Sequence, residues 1–294
     1  MPSTHDAAQR RQSLSDASTA GVTRSSRPWP IGYKTQSTDL DTALFAPALN
    51  RVGRASTGAL TVGRIVFPTS GGPIRTIITG RRHIVTGSYA SRKARRAMPF
   101  EGMNERLFFM HSEVDTSVVD YRAQPFRFEF TIDGVGRTYI VDCVRLLSDG
   151  RIEIVEVKND RRALRDDHYL EKLDRVAMAC SALDWSFRVV LREQLENPRV
   201  RLENIELIQS RRHTHFTAAD VYVALESIEQ AGGRISMGEL AEKLGDVLRG
   251  RAALQAMMVH RLVAIDLSKP LSSESSVSLP SHSTAKSLRG EAGR

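Results

Sequence analysis

The sequence predicts a mixed α/β fold followed by a smaller region of short helices, and three observations lead to this prediction. A helical pattern over residues 101–113 precedes three segments with strand-like alternation. A long helical pattern and a further strand follow these segments, and this order describes a mixed sheet flanked by helices. After Asn204 the pattern changes to short helices bounded by capping and glycine signals.

Composition limits the class of protein. Of the 294 residues, 41% are hydrophobic and 26% are charged, which is the balance of an ordinary soluble protein. No apolar run is long enough to span a membrane, and the polar segment Met1–Arg11 lacks the apolar core of a secretion signal. Cys143 and Cys180 are too few for a disulfide framework. We therefore expect a cytoplasmic protein with no membrane partner.

Positive charge is concentrated in the first third of the chain. The 42 basic residues comprise 35 arginines and 7 lysines, and the formal net charge is +8. Residues 1–104 carry 15 basic and 5 acidic groups, whereas the remaining 190 residues carry 27 and 29. Because the planar guanidinium suits phosphate, this distribution favours nucleic acid as a partner. GC-rich codon usage is an alternative explanation for much of the excess of arginine over lysine.

The N-terminal part is predicted to contain a tail, short strands and a basic strip. Residues 1–55 are rich in Ser, Thr, Arg and Pro and are predicted to be disordered. Short strands are predicted within residues 57–79. We interpret residues 81–96 as a strip that contacts DNA phosphates, although a solvated basic face is an equally good interpretation. The basic residues of this strip are Arg81, Arg82, Arg92, Lys93, Arg95 and Arg96.

The central elements are predicted from changes in periodicity. Met103, Leu107 and Met110 give the first helix an apolar face. In the first strand phenylalanines alternate with polar residues up to the turn pair Asp133-Gly134. The predicted segments are a helix over residues 101–113, strands over 126–132, 137–147 and 151–158, a helix from Leu164 to Cys180, and a strand over 185–191.

The C-terminal region has the pattern of a winged helix-turn-helix. Helices are predicted over residues 218–230, from the capping box Ser236-Met237-Gly238-Glu239 to Leu244, and over residues 247–260. Two short apolar segments, 263–267 and 277–279, are candidates for the wing. We predict a winged-helix-like α+β domain over 209–280, although an ordinary helical subdomain fits nearly as well. Residues 281–294 are predicted to be a disordered tail.

Charged side chains interrupt the apolar face of the third predicted strand. Alternation places Ile152, Ile154, Glu156 and Lys158 on one face. Burying a carboxylate and an ammonium there is costly unless the two are paired or bind a metal. Asp142 interrupts the preceding strand in the same way, so neighbouring strands bring it and Glu156 within reach of one divalent cation.

A lysine beside paired carboxylates provides what phosphodiester hydrolysis needs. Carboxylates bind Mg²⁺, which polarises the phosphate and lowers the pKa of an attacking water. A neighbouring lysine orients that water or offsets charge that develops on the phosphate. The spacing from Asp142 to Glu156 and Lys158 resembles the PD-(D/E)XK nuclease pattern. E-x-K alone is a weak motif that also occurs as a surface ion pair on edge strands.

The order of the motifs resembles that of TnsA-type transposon endonucleases. The resemblance covers roughly residues 80–207 and implies a restriction-endonuclease-like mixed sheet flanked by helices, over residues 56–208. Val141 and Asn104 depart from the family's usual residues at those positions. The matching segments are Glu101-Gly102-Met103-Asn104-Glu105, Val118-Val119-Asp120-Tyr121, Gln124-Pro125, the Asp142 strand, Glu156-Val157-Lys158, Leu170-Glu171-Lys172-Leu173, the strand over 185–191 and Asn204-Ile205-Glu206-Leu207.

The resemblance also implies the residues of an active site. The family's first catalytic glutamate lies nineteen residues before the glutamine of Gln-Pro, which maps it to Glu105 and not to the nearby Glu113. Asp142, Glu156 and Lys158 map to the other catalytic positions. On this basis Glu105, Asp142 and Glu156 are expected to bind Mg²⁺, for which Mn²⁺ can substitute. The Val157 carbonyl is an additional expected ligand, and Lys158 is expected to assist the attacking water.

The function implied is Mg²⁺-dependent DNA cleavage at transposon ends by one subunit of a heteromeric transposase. The expected partners are DNA, an integrase-like transposase and an ATP-dependent transposition regulator that contacts the C-terminal domain, in a nucleoid-associated complex. One alternative is a stand-alone restriction, repair or phage nuclease, and another is a non-catalytic DNA-binding regulator built on the winged helix.

Several other residues are weaker candidates for a functional role. Gln124 is expected either to support the metal site or only to form the turn before a strand. Cys143 and Trp185 are expected to be core residues. His213-Thr214-His215 is expected to be a linker, because no third metal ligand lies nearby in the sequence.

Overall fold

The computed structural model describes residues 62–68, 73–74, 85–132 and 135–281. The predicted tail over residues 1–55, the turn pair Asp133-Gly134, the basic residues Arg81 and Arg82, and residues 282–294 lie outside the described residues. In the described part of the chain, no helix is long and apolar enough to cross a membrane.

The described part of the chain contains twelve strands and seven α-helices. The strands are β1 (Val62–Val66), β2 (Thr86–Ser91), β3 (Arg96–Glu101), β4 (Val118–Ala123), β5 (Arg127–Ile132), β6 (Val135–Ile140), β7 (Cys143–Leu147), β8 (Ile152–Lys158), β9 (Ser186–Leu191), β10 (Arg234–Ser236), β11 (Ala264–Ile265) and β12 (Ser276–Ser278). The α-helices are α1 (Met103–Val114), α2 (Asp167–Ala182), α3 (Arg192–Glu196), α4 (Arg199–Arg211), α5 (Ala218–Gln230), α6 (Met237–Lys243) and α7 (Val247–Val259). A 3₁₀ helix covers Arg161–Leu164.

A four-stranded mixed sheet has the strand order β4-β7-β8-β9. β4, β7 and β8 pair antiparallel, whereas β9 pairs parallel to β8. The parallel pair requires a crossover, which the 3₁₀ helix and α2 provide. The mixed α/β character and the strand over residues 185–191 are therefore confirmed, although β4 is a strand that the periodicity did not reveal.

The chain changes sheets at Asp142. The predicted strand over residues 137–147 is wrong, because the structure divides it into β6 and β7 with Val141 and Asp142 between them. β6 belongs to a separate sheet of order β1-β5-β6, whereas β7 belongs to the central sheet. Apart from Asp142, residues that favour strands continue across this point, so the local pattern does not reveal the break. Asp142 thus lies at a corner between two sheets.

A hairpin and a glycine precede the first helix. β2 and β3 pair antiparallel up to Glu101, which belongs to a strand and not to the predicted helix. Gly102 follows with a φ of 124°, a backbone conformation that favours glycine, and the helix begins at Met103. Phe108, Phe109 and Met110 are buried as predicted, but the side chain of Met103 is 50% exposed. The expected contribution of Met103 to the apolar face is therefore wrong.

The two faces of β8 lie in different parts of the hydrophobic core. Ile152 and Ile154 belong to a cluster beneath α2, whereas Val155 and Val157 belong to a second cluster that includes α1. The predicted alternation is confirmed. The carboxylate and the lysine at the end of β8 continue the face of the two isoleucines.

The C-terminal helices occur where the capping signals predict them. α5 begins after Thr217, whose hydroxyl accepts from Asp220 N, and α6 begins after Ser236, whose hydroxyl accepts from Glu239 N. β10, β12 and β11 form a small antiparallel sheet in that order. β10 was not predicted, because three residues are too few to show a period. α7 approaches α6 so closely that a Cβ atom at Gly250 would lie 2.4 Å from the Ala241 carbonyl oxygen.

The C-terminal helices share a core with α1. α7 packs on α4 and α1, and every residue from Ala253 to Val259 is buried. Gln209 in α4 donates to Met110 O at 3.2 Å, and the Arg261 guanidinium donates to Thr116 O at 2.8 Å. α4 continues without a break across residues 208 and 209, between which the sequence predicts a domain limit. The domain limits themselves stay predictions.

Candidate active site

Glu156 and Lys158 form an ion pair at the end of β8. The two residues share one face of the strand, and Lys158 Nζ lies 2.5 Å from Glu156 Oε1. Glu156 is only 3% exposed. Although burial opposes it, the negative charge of Glu156 raises the pKa of Lys158 above its ordinary value. Lys158 is therefore protonated at neutral pH and acts as a cation and a hydrogen-bond donor.

Two tyrosines also bind Glu156. Tyr139 from β6 donates its hydroxyl hydrogen bond to Glu156 Oε2, and Tyr169 from α2 donates to Oε1. Burial and the negative charge of Glu156 raise the pKa values of both phenols, so both remain donors. The sequence analysis missed these residues, because no motif spacing relates a tyrosine to this carboxylate.

Asp142 reaches the same site from the corner between the sheets. Its Oδ2 accepts a hydrogen bond from Val157 N at 2.9 Å. Burial and the negative charges of Glu156 and Glu105 raise the pKa of Asp142 well above its ordinary value, whereas the Val157 hydrogen bond opposes the shift. The charges of Glu156 and Glu105 are therefore close enough to Asp142 to affect its protonation.

Glu105 lies in the first turn of α1. Its Oε2 accepts from Glu101 N at 2.8 Å, which ties the start of the helix to the end of β3. The neighbouring Asn104 donates to Asn159 Oδ1 at 3.3 Å, and Asn159 directly follows β8. These contacts hold the start of α1 beside the end of β8.

A second lysine lies beside the tyrosines. Lys172 Nζ is 5.6 Å from the Tyr139 ring centroid and 5.9 Å from that of Tyr169, and Lys158 Nζ is 5.1 Å from the Tyr169 centroid. Burial lowers the pKa of Lys172, and the positive charge of Lys158 adds to this effect. The buried carboxylate thus has two ammonium groups nearby.

Gln124 contacts Asp142 through the main chain. Its backbone N donates to Asp142 O at 3.0 Å, and its carbonyl accepts from Ile74 N at 2.9 Å. Gln124 is buried and has a φ of 45°. The residue therefore helps to fix the corner at which Asp142 lies.

The predicted ligands do not form a ready-made metal cluster. In the part of the chain that the structure describes, no three His, Cys, Asp or Glu side chains are grouped so that they could hold a metal ion. Glu156 is directed to the tyrosines and Lys158, and Asp142 to Val157 N. The donor chemistry nevertheless fits Mg²⁺, because the predicted ligands are all carboxylate or carbonyl oxygens.

The basic strip is only partly described, and one of its members differs from expectation. Lys93 Nζ donates to Ser112 O at 2.9 Å and also to Asp115 O, so its ammonium is directed into the protein and not towards a ligand. Burial lowers the pKa of Lys93 to about 7. Arg92 and Arg95 are exposed and Arg96 is partly buried, so a phosphate contact stays a prediction for these three arginines.

Glu113 is a structural carboxylate. It is fully buried in α1, where its oxygens accept from Ser91 Oγ at 2.8 Å, Tyr121 Oη at 2.7 Å and the backbone N of Arg92 at 2.6 Å. Lys93 N provides a fourth, longer contact at 3.2 Å. These bonds fasten the β2–β3 turn onto α1, and they give Glu113 a role that differs from that expected of Glu105.

The lesser candidates behave as predicted. Cys143 and Trp185 are buried core residues, and burial raises the pKa of the Cys143 thiol, so it is not an activated nucleophile. The segment from His213 to His215 connects α4 and α5.

Comparison with known proteins identifies the region that contains this site. The family model described as TnsA-like endonuclease N terminal matches residues 115–192. A comparison with curated proteins gives no match. Asp142, Glu156 and Lys158 lie within the matched residues, whereas Glu105 lies before them. Over residues 115–192 the chain is therefore similar to the N-terminal domain of TnsA-like endonucleases, and the resemblance predicted from its motifs is confirmed.

Proposed function

We propose that this chain is the metal-dependent DNA endonuclease subunit of a heteromeric transposase and hydrolyses phosphodiester bonds at transposon ends. The observation that carries the proposal is the meeting of Asp142, Glu156 and Lys158 inside the TnsA-like region. The electrostatic interaction of Glu105 with Asp142 supports Glu105 as the fourth expected catalytic residue.

The expected cofactor is Mg²⁺, or Mn²⁺ in its place. Glu105, Asp142 and Glu156 would hold the ion, with the Val157 carbonyl as a further ligand. The fit is chemical, because hard oxygen donors suit Mg²⁺. Burial and the repulsion from Glu156 and Glu105 raise the pKa of Asp142, and a divalent cation would offset that repulsion. When bound, the ion polarises the phosphate and lowers the pKa of a coordinated water.

Residues of the chain itself donate hydrogen bonds and position the carboxylates. Because Lys158 keeps its proton, it serves as a donor to the attacking water or to a phosphate oxygen and not as a general base. Tyr139 and Tyr169 donate to the two carboxylate oxygens of Glu156 and so fix the orientation of this side chain. The Val157 N–H fixes the direction of one Asp142 oxygen.

The C-terminal region is proposed to contact the protein partners. The order α5, β10, α6, α7, β11, β12 supports a winged-helix-like domain. α7, the third helix in this order, is buried from Ala253 to Val259, where it packs on α6, α4 and α1, whereas residues 247–249 at its start are exposed. The expected ATP-dependent regulator would bind another surface of the region, within a cytoplasmic, nucleoid-associated complex.

A cleavage assay tests the proposal. Wild-type protein, Asp142→Ala and Lys158→Ala are each mixed with the candidate integrase-like transposase, Mg²⁺ and DNA that contains a transposon end. We expect nicking by the wild type and a loss of at least a hundredfold in both variants. Equal nicking by all three proteins contradicts the catalytic assignment. Cleavage without the transposase and without a transposon end favours the stand-alone nuclease.

A further inference from the structure

The segment between β8 and α2 carries three arginines that the proposed reaction does not use. Arg161 and Arg162 belong to the 3₁₀ helix that follows β8, and Arg165 directly follows this helix. All three side chains are exposed. They lie outside the basic strip over residues 81–96 that the sequence analysis selected.

Both ends of this segment are anchored at Glu156. Lys158, which pairs with Glu156, precedes Arg161 by three residues, a distance of at most about 10 Å along the chain. Tyr169, which donates to Glu156, follows Arg165 by four residues. The segment therefore lies at the rim of the candidate active site.

The acidic residues of the segment are occupied as helix caps. Asp160 Oδ1 accepts from Arg162 N at 2.8 Å and caps the 3₁₀ helix. Asp166 Oδ1 accepts from His168 N at 3.0 Å and from Tyr169 N at 3.3 Å, and it caps α2. Both carboxylates thus fix the backbone and leave the guanidinium groups directed to solvent.

Exposed arginines of the protein differ in whether they pair with a carboxylate. Among the residues that the structure describes, no ion pair involves Arg161, Arg162 or Arg165. Several other exposed arginines pair with a carboxylate of their own or a neighbouring helix. Such pairs are Arg192–Glu196 at 2.7 Å, Arg199–Glu203 at 3.0 Å and Arg249–Asp220 at 2.9 Å.

We propose that Arg161, Arg162 and Arg165 bind the phosphate backbone of duplex DNA next to the bond that is cut. The inference rests on the proposed function. A cluster of carboxylates repels a polyanion, so a nuclease site needs cations at its rim that hold the phosphates in place. Guanidinium groups bind phosphate oxygens in a bidentate manner, and these three are free of ion pairs with the described carboxylates.

The test is the salt dependence of DNA binding by the full-length chain. Wild type and the variant Arg161→Gln/Arg162→Gln/Arg165→Gln are titrated with labelled duplex DNA in EDTA, which prevents cleavage, between about 50 and 200 mM salt. We expect the variant to bind at least about tenfold more weakly at the lower salt concentration. Its slope of log K against log salt should be shallower by about 0.9 for each phosphate that the variant no longer neutralises.

Two further variants test whether a loss of binding comes from the position and the charge of the three rim arginines. Arg201→Gln/Arg211→Gln/Arg234→Gln removes the same charge from exposed positions elsewhere and should keep the wild-type slope. Replacing the three rim arginines by lysine should retain most of the slope, because the charges remain. An equal loss in the two glutamine variants, or a wild-type slope in the rim variant, overturns the inference.

The outcomes also separate this inference from the proposed function. If the wild type cuts transposon-end DNA and the rim variant binds and cuts equally well, only the inference fails. If the wild type neither binds nor cuts DNA with its partners present, the proposed function fails and the inference fails with it. Circular dichroism and thermal unfolding of each variant confirm that a loss of binding is not a loss of folding.

Discussion

The hydroxyl of Tyr169 donates a hydrogen bond to Glu156 Oε1, the same oxygen that pairs with Lys158. Helix α2 is thus joined to the end of β8 by a polar contact, next to the apolar packing that surrounds both elements. Tyr139 donates to the second oxygen, so donors hold both oxygens of the carboxylate. The orientation of Glu156 therefore depends on two residues from outside the motif.

Tyr169→Phe tests this dependence. The variant keeps the aromatic ring beside Lys158 and Lys172 but removes the donor to Glu156. We expect the Mg²⁺ concentration for half-maximal cleavage to rise about tenfold or more, since residues that orient metal ligands typically contribute this much. Cleavage rate as a function of Mg²⁺ concentration measures the effect, and Tyr222→Phe, at an exposed tyrosine, is the control. An unchanged Mg²⁺ dependence would refute the positioning role.

Glu105 and Glu113 are expected to separate activity from stability. Glu105→Gln should abolish cleavage and leave the free energy of unfolding nearly unchanged. Glu113→Gln should lower the free energy of unfolding by about 3 kcal/mol, because several buried donors lose a charged acceptor. Urea unfolding and the cleavage assay applied to both variants make the comparison. The opposite pattern would place the catalytic glutamate at position 113.

Asp142→Asn is expected to stabilise the protein while removing its activity. The folded-state pKa of Asp142 is raised from 3.8, so the unfolded chain releases this proton first. The stability of the wild type in EDTA therefore falls as the pH rises above 3.8, until Asp142 ionises in the folded state. The variant should lack this fall and be more stable at pH 7 by about 1 kcal/mol. Thermal unfolding between pH 4 and pH 8 measures the pH dependence of stability and the difference between the two proteins at pH 7. A less stable variant at neutral pH would contradict the expectation.

Asn204 is expected to couple the C-terminal region to α4. Its side-chain amide donates to Leu267 O at 3.1 Å and Lys269 O at 2.7 Å and accepts from Leu271 N at 3.1 Å. Asn204→Ala should reduce the free energy of unfolding by about 2 to 4 kcal/mol, because buried main-chain groups lose their partners. Denaturant unfolding checks this, with the exposed Gln230→Ala as a control that changes little. A change below about 0.5 kcal/mol would contradict it.

The part of the site that lies on one strand could be predicted from the sequence. Alternation along β8 places Glu156 and Lys158 on the face of Ile152 and Ile154, because the side-chain period of a strand is two residues. The capping hydroxyl of Ser236 likewise marks the start of a helix, since capping is a local interaction. These predictions are correct because they depend on neighbours in the sequence.

Features that depend on distant contacts could not be predicted. The partners of Glu156 come from β6 and α2, and nothing in the order of residues relates Tyr139 or Tyr169 to that carboxylate. Lys93 belongs to a basic segment with the composition of a surface strip. Its ammonium is nevertheless directed inwards, where it donates to carbonyl oxygens at the end of α1. The short strand Arg234–Ser236 forms only because Ser276–Ser278 pairs with it. In each case tertiary packing decides what the local pattern leaves open.

The corner at Asp142 connects the candidate site to both sheets. Glu156 and Lys158 belong to a single strand, so they move together with the central sheet. Asp142 lies where the chain passes from the β1-β5-β6 sheet into β7, and its backbone is bonded to Gln124 on the incoming side of β5. Asp142 is also tied to the central sheet, because its Oδ2 accepts from Val157 N of β8 and its backbone oxygen accepts from Gln124 N directly after β4. Asp142 is thus the residue through which the β1-β5-β6 sheet connects to the carboxylate on β8.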